Sequence, residues 1–144
     1  MYLEASDKSI LNHLVELQDY LLTKGYKVAS LSKELGGDFG NTLSVKLEKG
    51  DLNIIYRVVL SQSNRMIFVY VKSQQGSFTV QDYLKYIGND TDAALFVDSK
   101  QDSDYKKFIE VVVALTDKVF KENLNTVVEG REWVEIPFDW GDYK

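Results

Sequence analysis

Residues 43–71 hold three apolar-rich segments of strand length, separated by only a few turn-forming residues. Leu43, Val45 and Leu47 alternate with Ser44, Lys46 and Glu48, the period-two pattern of a strand with one buried face. Lys49-Gly50-Asp51 follows, a short turn whose glycine suits the positive φ that hairpins need. Residues 52–60 are dense in Ile54, Ile55, Val58 and Val59, and residues 61–65 turn the chain again. Residues 66–71 are apolar on both faces, as in a central strand or one covered on each side. Connections this short join antiparallel neighbours, so the run predicts a meander of residues 43–48, 52–60 and 66–71.

Helical patterns flank the meander. Ile10, Leu14, Leu17 and Leu21 recur at helical spacing within Ser6–Lys24, with Ser6 or Asp7 as cap and Gly25 as the left-handed stop. A second long helix is predicted over Asp104–Asn123, on the stripe Tyr105, Phe108, Ile109, Val112, Leu115, Val119 and Phe120. Tyr26–Leu31 reads as a short strand, residues 32–41 as a glycine-rich loop, and Phe78–Ile87 as a short helix. Ala93–Val97, Thr126–Val128 and Glu132–Ile136 read as extended, and Pro137 stops the last of these from continuing as a central strand. The layer solution is an α+β fold: an antiparallel sheet, the meander plus additional strands, with both long helices packed on one face. Leu14, Leu17, Leu21, Phe108, Val112 and Leu115 should be buried between them. At 144 residues with no linker or repeat, one domain spanning 1–144 is expected. This element order is similar to that of small bacterial secretion-chaperone-like α+β domains, a resemblance of topology that carries no residue roles.

Several chemistries are excluded by inventory. There are no cysteines and one histidine, so thiolate zinc sites, iron–sulfur clusters, cysteine nucleophiles and multi-histidine metal sites cannot be built. His13 lies at the edge of the leucine stripe within reach of Glu16 three residues on, and no Gly-x-Ser-x-Gly elbow exists, so a structural role is expected. Asp90, Asp92, Asp98, Asp102 and Asp104 crowd one region. EF-hand spacing fails there: from Asp90, Ala94, Leu95 and Gln101 fall on ligand or glycine positions. Helix capping and a solvated loop account for these acids. Gly36-Gly37-Asp38-Phe39-Gly40 lacks the Lys-Ser/Thr of a phosphate loop and precedes a strand. No metal or cofactor is expected.

Charge narrows the partners. The net charge is −5, and residues 73–144 carry 14 acidic and 8 basic side chains against 8 and 9 in residues 1–72. Without a basic cluster, nucleic acid is not an expected partner. No apolar run is long enough to span a membrane. No basic, apolar leader opens the chain, and the absence of cysteine suits a reducing compartment, so a cytoplasmic location is expected.

After the second helix, aromatic and acidic residues interleave: Glu132, Trp133, Glu135, Phe138, Asp139, Trp140, Asp142 and Tyr143, with both tryptophans of the protein among them. Tryptophan and tyrosine bury large area at little rotamer cost and are favoured binding anchors. The ordinary alternative is that these rings finish the core. The expectation is a non-enzymatic protein-binding module whose surface at Trp133, Glu135, Phe138, Asp139 and Trp140 binds or neutralises a basic protein, in the manner of a chaperone or a toxin or effector inhibitor. A small-molecule domain with an apolar cavity between sheet and long helix is the alternative, and a carboxylate-only hydrolase the weaker one. Sequence leaves the oligomeric state open.

Overall fold

The structure, a computed structural model, describes residues 3–35, 41–60, 65–98 and 105–136. Its first helix, α1 (Ala5–Glu16), is capped two or three residues earlier than expected. The cap residue is Glu4, whose N–H donates to Asp7 Oδ2 at 3.0 Å. Asp7 also accepts from Lys33 Nζ at 2.7 Å, and both side chains are under a tenth exposed. Lys33 holds the Asp7 carboxyl below its usual range, chiefly through that hydrogen bond.

The predicted helix over Ser6–Lys24 is broken. Gln18 Nε2 donates to Leu14 O at 3.0 Å, the carbonyl that its own N–H would engage in a continuous helix. The Gln18 N–H goes instead to Val15 O at 3.1 Å, and α2 (Asp19–Thr23) restarts the spiral. The break turns Gln18 into the core and leaves Leu17 half-buried, while Leu14 and Leu21 are fully buried. Gly25, at φ 94°, ends α2 as expected, with Gly25 N–H bonded to Leu22 O and Tyr26 N–H to Leu21 O.

The meander forms where the alternation placed it. β1 (Lys27–Glu34), β2 (Thr42–Lys49), β3 (Leu52–Leu60), β4 (Arg65–Ser73) and β5 (Gly76–Thr79) pair antiparallel in that spatial order. β1 is longer than Tyr26–Leu31, so the predicted loop loses Ser32–Glu34, and residues 36–40 lie outside the described residues. The register stacks Leu43, Val58 and Ile67 in one row, Val45, Tyr56 and Val69 in the next, and Leu47, Ile54, Val71 and Phe78 in a third. All of these are buried on one face of the sheet. Ser44, Lys46, Ile55, Arg57, Phe68 and Tyr70 alternate onto the other.

The outer edge of β4 is completed in three pieces. β5 pairs with residues 70–73 and β6 (Val97–Asp98) with residues 65–66. Between them the Gln81 side chain replaces a strand: Nε2 donates to Ile67 O at 2.8 Å, and Val69 N–H donates to Oε1 at 3.3 Å. The helix expected over Phe78–Ile87 therefore starts later, as α3 (Val80–Tyr86), with Thr79 Oγ1 accepting from Asp82 N–H at 3.1 Å. The strand expected over Ala93–Val97 is also corrected. Asn89 caps α4 (Asp90–Ala93), a 3₁₀ turn covers Ala94–Phe96, and only Val97 remains extended. Asp90 and Asp92 favour that outcome, because carboxylates in a first turn meet the positive end of the helix dipole.

The second long helix is α5 (Tyr105–Glu122), and it packs on the same face of the sheet as α1. Phe108, Ile109, Val112, Val119 and Phe120 meet Leu11, Leu14 and Leu21 above the rows of β2–β4, and Leu115 is half-buried at the margin. Thr126–Val128, expected to be extended, lies in a helical turn, α6 (Asn125–Val128). Leu124, Val127 and Val128 are all buried, and only helical spacing sets those three positions on one side. Tyr26 fastens α6 by donating its hydroxyl to Val128 O at 2.7 Å.

Candidate functional site

Gly130 determines where the chain goes after α6. At φ 80° it allows Gly130 N–H to reach Val127 O at 3.0 Å, and Arg131 N–H to reach Thr126 O at 2.9 Å. A Cβ there would lie 3.5 Å from Leu52 Cδ1, so the turn also sits closely against β3. The chain is thereby directed back across the core face toward β5. Trp133 then stacks on Phe78, with ring centroids 5.4 Å apart and planes at 51°. Its indole lies against Gly76, where an added Cβ would be 3.8 Å from Nε1.

Trp133 is half-buried, with Val134 and Ile136 also packed partly against the core, while Glu132 and Glu135 are exposed. Glu132–Ile136, expected to be extended, joins no ladder of the sheet among the described residues. Beside the contact of Trp133 with Phe78 lies a groove of about 510 Å³, lined by Gln75, Gly76, Ser77 and Phe78 together with Tyr86 and Trp133–Ile136. A smaller hollow of about 80 Å³ continues beyond Trp133 toward Asp51 and Glu132. Arg131, at that end, is engaged by Glu129 at 2.7 Å.

The structure thus brings Trp133 and Glu135 together on one groove. Phe138, Asp139 and Trp140 lie outside the described residues. Gly76, Phe78 and Tyr86 were not singled out in the sequence. Phe78 carried the signal, since an apolar residue before the Thr79 cap fits the end of an edge strand as well as a helix start.

Elsewhere, His13 bridges helices. Its Nε2 is 3.2 Å from Glu110 Oε1 on α5, and its Nδ1 is 3.9 Å from Glu16, the pairing expected from sequence. Beneath α5 lies a buried polar group of Gln18, Tyr56 and Thr116, all fully buried, beside the half-buried Asp117. Among the described residues, the Tyr56 hydroxyl, Thr116 Oγ1, Gln18 Oε1 and Asp117 Oδ1 have no hydrogen-bond partner of good geometry. Burial pushes the Asp117 carboxyl up to about 6, against a smaller lowering by Lys121. It raises the Tyr56 hydroxyl as well, with the Asp117 charge adding to the effect. A second cleft of about 380 Å³ lies on the far face of the sheet from α5, between Met66, Phe68 and Tyr70 and the Gln81, Lys85, Phe96 and Val97 side.

Of the clustered acids, Asp92 accepts from Asn89 Nδ2 at 2.8 Å and Asp98 is 3.7 Å from Arg65, while Asp102 and Asp104 are outside the described residues. Among the described residues no group of three potential ligands is placed to hold a metal, and no helix is long and apolar enough to cross a membrane. Comparison with known protein families, with characterised proteins and with solved structures yields no match.

Proposed function

We propose that the chain is a protein-binding module that engages a basic partner through the groove between β5 and Trp133–Ile136. The observation that carries this reading is Trp133, a half-buried indole fixed on Phe78 and Gly76 whose remaining surface forms the groove wall. An aromatic held this way meets a partner with little further loss of rotamer freedom, which is what a binding anchor requires. Glu135 in the wall and Glu132 beside it add negative charge that raises encounter with a cationic surface.

The space between α5 and the sheet, where a ligand cavity was the alternative, is occupied by packed side chains such as Ile109, Val112, Phe120 and Tyr56. The small-molecule reading moves instead to the apolar cleft of about 380 Å³ on the other face. The carboxylate-only reading has one perturbed acid in its favour, Asp117, with Lys121 as the charged group that acts on it.

Site-specific photo-crosslinking in cells tests the proposal. A photoreactive residue at exposed Glu135 should trap one defined partner, and the same residue at exposed Lys8, on α1, should not. Repeated in lysate, the yield of adduct should fall as salt is added before irradiation. Equal trapping from both positions, or none from Glu135, counts against the groove.

A further inference from the structure

We infer that the partner's contacting segment is an extended, cationic stretch that adds to the sheet as a strand along β5. This rests on the groove being the partner surface, as proposed above, and goes on to say what enters it and how.

The sheet has two outer edges, and they are built differently. β1 carries two features that discourage strand addition: a register irregularity between Val28 and Ser30, and an inward-pointing charge, Lys33, buried against Asp7. The outer edge of β4 is satisfied along its length by β6, the Gln81 amide and β5. β5 closes the ladder on the other side, and among the described residues no strand pairs with its outer edge. Its sequence, Gly76-Ser77-Phe78-Thr79, contains no charge and no proline.

The groove borders this strand. Ser77 and Phe78 line it together with Trp133–Ile136, which joins no ladder among the described residues. An added strand meets backbone groups of β5 and, beside them, the indole that stays packed on Phe78 and Gly76, with Glu135 in the same groove. β5 is four residues long, so the ladder offered is about 13 Å at 3.3 Å per residue. Main-chain bonds of that extent supply position, and side-chain contacts must supply the selectivity. The acidic residues at this end, Asp51, Glu132 and Glu135, favour lysine or arginine at alternate positions of the added segment, while Arg131 is already engaged by Glu129.

The test uses the intact protein and random ten-residue peptides displayed on phage, selected for binding and counter-selected on Glu135→Lys, an exposed substitution. Enriched peptides are resynthesised in three forms, one with free amides and two N-methylated at alternate positions in opposite phases. The inference predicts basic peptides rich in β-branched residues, at least tenfold weaker binding after N-methylation in one of the two alternate phases, and slowed amide exchange confined to residues 76–79 and the groove wall. Peptides that bind the groove equally well with either phase methylated would overturn strand addition and leave the groove reading standing. No enrichment, or enrichment indifferent to Glu135→Lys, overturns both.

Discussion

Asp117→Asn should stabilise the protein, and only above mildly acidic pH. The Asp117 carboxyl is raised from 3.8 to about 6 by burial beside Tyr56 and Thr116 under α5. The folded chain therefore holds this proton more tightly than the unfolded chain. Below the unfolded pKa both states are protonated and the charge costs nothing. As pH rises through the interval from about 4 to 6 the unfolded state ionises first, and stability falls until the folded carboxyl has ionised too. A shift of roughly 2 units corresponds to about 3 kcal/mol. Because Asp117 is only half-buried, solvent screening reduces this to about 1–2 kcal/mol. Asparagine keeps the shape and removes the charge. Urea unfolding at pH 7.5 and pH 3.5 should give a stabilisation of that size at the higher pH and a vanishing difference at the lower. A variant no more stable than the parent at pH 7.5, or a gain equal at both pH values, would refute the argument that desolvation of this carboxylate opposes folding.

Lys33→Met should destabilise by about 3–5 kcal/mol, because it strands the buried Asp7 carboxylate, and adding Asp7→Leu should recover most of the loss in the same urea titration. Leu14→Ala should cost about 2–5 kcal/mol, and Leu17→Ala distinctly less, since the helix break leaves Leu17 half-buried; thermal unfolding of the two variants compares them directly. Gln81→Leu should cost about 1–3 kcal/mol by leaving Ile67 O and Val69 N–H unpaired, and hydrogen exchange should show the Val69 amide losing protection before its neighbours in β4.

The meander was legible because alternation is a local property. Leu43, Val45 and Leu47 must share a face whatever packs on it, and the turn at Gly50 fixes their partners. The break after Glu16 was not legible, since no proline or glycine marks it. It depends on the Gln18 amide taking the Leu14 carbonyl once the core can accommodate the side chain. Thr126-Val127-Val128 misled through β-propensity, which tertiary burial of Leu124, Val127 and Val128 overrode. Half of the candidate site could be read from sequence: Trp133 and Glu135 stand out as an aromatic beside acids. The other half, Gly76, Phe78 and Tyr86, is distant in sequence and reaches Trp133 only because β5 is the edge of the sheet and Gly130 reverses the chain toward it.

The central claim is that the groove between β5 and Trp133–Ile136 is the partner surface. Amide and indole chemical-shift mapping, with the partner trapped through position 135 added to the unmodified protein, tests it most directly. The account predicts that the shifts concentrate on residues 75–78, Tyr86 and 133–136, with the Trp133 indole N–H among the largest, and that they diminish as salt is added. Shifts concentrated on the outer faces of α1 and α5, with the Trp133 indole and β5 unmoved at saturation, would contradict it.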